Sequence, residues 1–188
     1  MPGGRLSHVV GFDDAPFARE HRGDVLVVGA VFAGLRLEGV LSAKVRRDGR
    51  NATPILIELL TGSRFARQLH AVLLQGITFA GFNVVDIHGL HAGCGLPVIV
   101  VTRKPADMNA VWGALQGLPG GARKWGLIER AGAMEPMAGV YVQRVGATRA
   151  ATEDLLRRLH QHSVLPEPLR VAHLIAGGLG SGESRHRP

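Results

Sequence analysis

Between Leu37 and Arg46 apolar and polar residues alternate, with Val40, Ser42, Lys44 and Arg46 set against Leu41, Ala43 and Val45. A period of two marks a half-buried β-strand, and Asp48-Gly49 supplies a turn after it. Upstream, Asp24 to Val31 is rich in β-branched residues and reads as a buried strand. Val9 to Phe12 is a shorter strand that runs into Asp13-Asp14 and is stopped by Pro16. Three strands in succession predict an antiparallel start to a sheet.

The period then lengthens. Thr53 predicts an N-cap with Pro54 at the first helical position, and Ile55, Leu56, Leu59 and Leu60 form a stripe that Gly62 ends. His70 to Leu74 reads as a short strand ending at Gln75-Gly76, Asn83 to His91 as a helix, and Leu96 to Thr102 as the clearest buried strand. Asp107 caps a helix carrying Met108, Val111, Trp112 and Leu115. Gly139 to Val145 predicts a strand, and Thr148 to His162 an amphipathic helix with Leu155, Leu156 and Leu159 inward. A short helix from Pro168 to Ala176 closes the fold. Strands first, then helices and strands in alternation, predict a mixed α/β class with one central sheet, as a single domain over 1–176 and a flexible Gly/Ser/Arg tail over 177–188. Ligands in such sheets gather at the carboxyl ends of strands, where Asp13, Asp14, Gln75 and Lys104 all fall.

Composition narrows the partners. The 188 residues carry 22 Lys+Arg against 15 Asp+Glu, a formal charge of +7. Nearly all of the positive charge is Arg, whose fork suits phosphate and makes nucleic acid a natural partner; an Arg-rich composition explains the charge equally well. One cysteine, Cys94, excludes an internal disulfide and a Cys-pair zinc site and suits a reducing cytoplasm. The longest apolar stretch, Val25 to Leu35, is interrupted by Gly29 and Gly34 and is too short for a membrane helix, which needs about 20 residues. The expected protein is soluble and cytoplasmic, with no membrane partner.

Asp13-Asp14 is the strongest chemical feature near the N-terminus. Neighbours on a strand face opposite ways, so one side chain enters a site without the other. Carboxylates there can hold Mg²⁺, a hard cation that takes few protein oxygens and keeps waters; an Asp that caps the following turn is the plainer alternative. Asp86 is a second candidate ligand or, equally, a first-turn acid favoured by a helix dipole. His88 and His91 lack a third ligand at zinc spacing, His160 and His162 diverge on a helix, and His173 reads as a core residue. Gly178, Gly180 and Gly182 follow a helical pattern, which sets them apart from a dinucleotide fingerprint. The residues by themselves point to metal-assisted phosphate chemistry.

Three blocks resemble an archaeal-type family of uncharacterised proteins related to endonuclease V, to which the name endonuclease dU is attached. The first is Gly11-Phe12-Asp13-Asp14-Ala15-Pro16-Phe17. The second is Gly76 to Ile87 (GITFAGFNVVDI), followed by Gly95 to Val101 (GLPVIVV) and Arg103-Lys104-Pro105. The third is Pro166 to Ala176 (PEPLRVAHLIA), then Gly182-Glu183-Ser184. The resemblance implies a ribonuclease H-like, endonuclease V-like mixed central sheet flanked by helices. It also implies divalent metal held by acids on the first strand, before the first helix and at the end of the fourth strand. By position the first acid is similar to Asp13, His173 to a histidine that approaches the metal, and Lys104 to a lysine near the scissile phosphate. Two positions depart: Gln75 stands where endonuclease V has an Asp, and Asn51 near where it has a Glu. Uncharged amides should weaken Mg²⁺ binding. Asp14, Asp48 and Asp86 are the acids at hand to replace them, and Asp86 is favoured because it stands within a family block.

The expectation is a Mg²⁺- or Mn²⁺-dependent endonuclease acting on deaminated DNA, containing deoxyuridine or hypoxanthine, in DNA repair. Asp13, Asp14 and Asp86 would hold metal, and Asp13, Lys104 and His173 would carry the chemistry. Arg103, Lys104 and Arg170 would touch DNA or RNA, with the deaminated base turned out of the stack. The alternative is a non-catalytic nucleic-acid-binding relative, for which Gln75 and Asn51 speak.

Overall fold

A computed structural model describes residues 6–184. Three strands, β1 (His8–Asp14), β2 (Asp24–Ala33) and β3 (Arg36–Arg46), form the expected antiparallel run. α1 (Ala52–Gly62) leads to β4 (Ala71–Gln75), a small hairpin of β5 (Thr78–Phe79) and β6 (Asn83–Val84), α2 (Ile87–Cys94) and β7 (Val98–Thr102). α3 (Met108–Gln116) and α4 (Gly121–Ala131) follow, then β8 (Glu135–Met137), β9 (Val140–Val145), α5 (Arg149–Leu159) and α6 (Glu167–Ser181).

Seven strands share one mixed sheet in the order β3-β2-β1-β4-β7-β9-β8. β4 runs parallel to both β1 and β7, and β9 is antiparallel to β7. The central strands are buried on both faces, as parallel strands must be when helices cover them. Val10, Phe12, Val72, Leu74, Val98 and Val100 face α1 and α2, while Val9, Ala71, Leu73, Ile99 and Val101 face α5 and α6. By the same alternation Gly11 and Asp13 lie on the α6 side. Gly11 has to be glycine: a Cβ there would stand 2.6 Å from the backbone carbon of Pro168, so α6 rests directly on β1. That contact sets where every later residue of α6 meets the strand.

Several sequence expectations shift. Asn83 to His91 is not one helix. Asn83 is fully buried in the β5–β6 hairpin, where its side-chain carbonyl accepts from Ala52 N–H (3.1 Å) and its amide donates to Arg46 O and to Asn51 Oδ1 (both 2.8 Å). A remote amide thus does the capping that Thr53 was expected to do. Asn51 holds the cap position without a side-chain cap bond, and Thr53 Oγ1 accepts from Asp86 N–H (2.9 Å). α4 and β8 were not foreseen. α6 runs past 176 to Ser181, since the small residue Gly180 lets it lie against Ala15 and Pro16. Gly182 then closes the helix in the left-handed conformation (φ 79°), and Ser184 Oγ donates back to Leu174 O (2.7 Å). Of the expected tail, residues 177–181 thus belong to α6 and Ser184 is tied back to it, and 185–188 lie outside the described residues. No helix among the described residues is long and apolar enough to cross a membrane.

Candidate active site

The carboxyl ends of β1 and β4 meet α6 at a cavity of about 400 Å³ lined by Asp13, Asp14, Gln75, His173 and Glu183, among others. Asp13, on the α6 side of β1, is 5% exposed. Its Oδ2 lies 2.7 Å from His173 Nδ1, a hydrogen bond donated by the ring, and its Oδ1 accepts from Asp14 N–H (2.9 Å). His173, Gly177 and Ser181 are spaced four apart and line one stripe of α6 along the cavity.

Asp14, the last residue of β1, lines the same cavity, and Ala80 N–H donates to its Oδ2 (2.6 Å). Ala80 sits at the tip of the β5–β6 hairpin with φ 48°, a left-handed conformation unusual for a residue with a Cβ. Burial pushes the Asp14 carboxyl up to about 6, and the neighbouring Asp13 charge adds to this, while the Ala80 N–H works against it. Gln75 stands next to Asp13, one position beyond the Phe12/Leu74 pair of the parallel ladder. Its Oε1 is buried and accepts no hydrogen bond. An unsatisfied buried carbonyl costs on the order of 1–3 kcal/mol, so a site with one is poised for a donor or a cation.

The donor set fits a hard divalent ion. Asp13, Asp14 and Gln75 line one cavity, and Mg²⁺ takes one or two carboxylates and fills the rest of its shell with water or substrate phosphate. Among the described residues no group of three or more His, Cys, Asp or Glu side chains is placed to hold a metal ion.

The other candidates are elsewhere. Asp86 is the N-cap of α2: its carboxylate accepts from Gly89 N–H (2.9 Å) and pairs with Arg130. Burial raises its carboxyl, but the Arg130 hydrogen bond and charge and the Gly89 N–H outweigh this and hold it below the usual range. It does not line the cavity with Asp13, and of its two sequence readings the structure places it as the acid at the start of a helix. Arg170 is not a free phosphate contact either. Its guanidinium grips the carboxylate of buried Glu167 through two bonds of 2.8 and 2.6 Å. Asp48 serves the hairpin, accepting from Phe82 N–H (2.8 Å). Arg103 and Lys104 are exposed just past β7, at the same end of the sheet as Gln75, which pairs with Val101. Glu183 and Ser184 were quoted in a sequence block and then read as tail. The signal that places them is Gly182, a helix-ending glycine that turns the chain back.

Comparison with known proteins agrees with this architecture. The family model described as endonuclease dU matches residues 5–180. The UPF0215 protein of Deinococcus radiodurans is 57% identical over 181 residues, 96% of this chain and 92% of that protein. The UPF0215 protein of Methanothermobacter thermautotrophicus is 45% identical over 94% of this chain and 89% of its own. Among solved structures, a protein of unknown function from Archaeoglobus fulgidus superposes with a TM-score of 0.88 at 32% identity, over 94% of this chain and 99% of that one. Human endonuclease V gives 0.57 at 18% identity over 91% and 83%. The Ciona intestinalis enzyme, solved with a 24-mer DNA containing an inosine followed by a ribo-adenosine, gives 0.56 at 13% over 89% and 83%. The fold is therefore the expected ribonuclease H-like, endonuclease V-like one.

Proposed function

The chain belongs to the endonuclease dU family, and from that premise we propose that it is a divalent-metal-dependent endonuclease that cuts DNA at deaminated bases, deoxyuridine or hypoxanthine, in DNA repair. One observation carries the reading: buried Asp13, held by His173, stands beside the orphaned Gln75 Oε1 at a strand end open to solvent. Asp13, Asp14 and Gln75 would hold Mg²⁺ or Mn²⁺. Such an ion, when bound, supplies an activated water and neutralises charge on the attacked phosphate. His173 fixes the Asp13 carboxylate through Nδ1, so the ligand is positioned before substrate arrives. Lys104 and Arg103, exposed at the same sheet end, would meet the phosphates that flank the cut. The inosine-containing DNA in the Ciona intestinalis endonuclease V structure supports hypoxanthine as one of the bases.

The test is nicking of uracil- and hypoxanthine-containing oligonucleotides by purified protein with Mg²⁺ or Mn²⁺, beside undamaged controls. Damage-dependent nicking that is lost in Asp13→Ala supports the reading. No nicking by the wild type, or full nicking by Asp13→Ala, overturns it. A second reading, a nucleic-acid binder without catalysis, is favoured by the amide at position 75. It expects salt-sensitive binding that a chelator leaves unchanged. Stoichiometric Mn²⁺ binding in calorimetry, lost in Asp13→Ala, decides against it.

A further inference from the structure

A second cavity, of about 260 Å³, lies between the β3–α1 turn and the start of α4, lined by Asp48, Gly49, Arg50, Pro119, Gly120, Arg123 and Lys124. Its chemistry is cationic. Lys124 is 3% exposed, and its ammonium donates to the backbone carbonyl of Asp48 (2.5 Å), one acceptor for a group with three donors. Arg50 and Arg123 are exposed at the rim and make no ion pair among the described residues, whereas nine of the other described arginines are paired with an acid. The one acid in the lining, Asp48, already has its carboxylate engaged: it accepts from Phe82 N–H (2.8 Å) and meets Arg47 Nε (3.2 Å). A buried ammonium with one backbone acceptor and a carboxylate shared with an arginine is left short of negative charge, which an anion in the cavity would supply. The desolvated Lys124 is indeed held below the ordinary lysine range, with the Asp48 charge partly opposing the shift.

The cavity is also wired to the active site. Asp48 N–H donates to Ala80 O (2.8 Å), and Ala80 N–H donates to Asp14 (2.6 Å). Two hydrogen bonds and one residue therefore span the two cavities, a path of roughly 10 Å. A nucleic-acid strand carries a phosphate at every nucleotide, so a separation of that order is within reach of two phosphates of one strand. From this geometry we propose that the Arg50–Arg123–Lys124 cavity is a phosphate subsite. It takes a backbone phosphate of the nucleic-acid strand a few nucleotides from the one at Asp13. The inference rests on the nuclease reading for its ligand and adds a register to it.

The experiment measures oligonucleotide binding by fluorescence anisotropy in EDTA, where no cutting occurs, across a salt series. Arg50→Ala/Arg123→Ala is compared with wild type and with Arg64→Ala/Arg67→Ala, a charge-matched control ahead of β4 at the opposite end of the sheet. The expected result is a binding constant about tenfold weaker and a log K against log salt slope shallower by about 0.7 for single strands or 0.9 for duplex, the loss of one phosphate contact. The control should keep the wild-type slope. Equal slopes in the two double variants overturn the subsite. So does loss of inorganic phosphate binding alone, with the oligonucleotide slope unchanged, which would mark a free-anion site. A wild type that binds with the expected slope difference but never nicks leaves the subsite standing and removes the nuclease reading. A wild type that nicks while the slopes stay equal does the reverse, and a wild type that binds no oligonucleotide overturns the subsite.

Discussion

Asp13 and Asp86 are both acids inside sequence blocks shared with the same family, yet they stand in opposite electrostatic surroundings. Asp13 is the penultimate residue of a central strand, beside another carboxylate and an unsatisfied amide oxygen, with a histidine as its partner. Asp86 starts a helix and is closed off by a backbone N–H and an arginine. The first arrangement sets the carboxylate beside a second acid, with no arginine or lysine among the described residues paired to it. The second neutralises it with an arginine. A motif therefore identifies a functional acid only when the fold leaves its charge without a fixed cation, and the two regions give four ways to press that contrast.

The largest effect is expected at Asp13. Asp13→Asn keeps the shape and removes the charge that would hold metal, so nicking should fall about 10³-fold or more, with the circular dichroism spectrum and gel-filtration volume unchanged. An active Asp13→Asn protein would break the contrast at once. Next is Gln75→Leu, which replaces an orphaned buried acceptor by an apolar group of similar size. Nicking should drop about 10–100-fold as an oxygen ligand is lost, while denaturant unfolding should show stability unchanged or raised by about 1 kcal/mol. Activity and stability that fall together would mean that Gln75 is a packing residue.

The Asp13 side of the contrast was legible in the chain because it depends on period and position. The apolar run that becomes β1 ends in Asp13-Asp14, and Gln75 ends the run that becomes β4. The role of His173 was legible only through the resemblance. Its neighbours are apolar, and the contact with Asp13 is made by a helix whose docking depends on Gly11, far away in sequence. The Asp86 side was left open between ligand and helix-start acid for the same reason in reverse. Its cap geometry follows from the β5–β6 hairpin, and that hairpin is held by bonds from Asn83 to Ala52, Arg46 and Asn51. No local pattern reveals that an asparagine will be fully buried. α4 escaped because Gly121 and Gly126 weaken its helix signal and Lys124 occupies its buried side.

Asp14 tests whether the acidic end is strained as a whole. Its carboxyl is raised from 3.8 to about 6, chiefly by burial. The folded state therefore binds this proton more tightly than the unfolded chain. The stability it contributes is fully present below pH 3.8 and is lost as pH rises through about 6. At pH 7.5 the ionised group should cost up to about 3 kcal/mol. Asp14→Asn, which retains an oxygen for the Ala80 N–H, should raise the Tm of the EDTA-treated protein by several degrees at pH 7.5. Near pH 4 it should leave Tm unchanged. A Tm difference that does not vary with pH would detach Asp14 from the strained centre.

Asp86→Ala should give the smallest effect, and it is the most direct probe of the structural side. Loss of the cap bond to Gly89 and of the pairing with Arg130 should cost about 1–2 kcal/mol. That corresponds to a fall in Tm of about 2–8 °C for a chain of this size. Nicking per folded molecule should stay within about twofold of wild type, because the carboxylate lies outside the Asp13 cavity. Asp86→Asn should recover much of the stability, since asparagine caps helices nearly as well as aspartate. A metal ligand would behave in the opposite way, with Asp86→Asn folding normally and failing to cut. Thermal melts and nicking rates on the same two proteins therefore separate a cap from a ligand even though both changes remove the same charge.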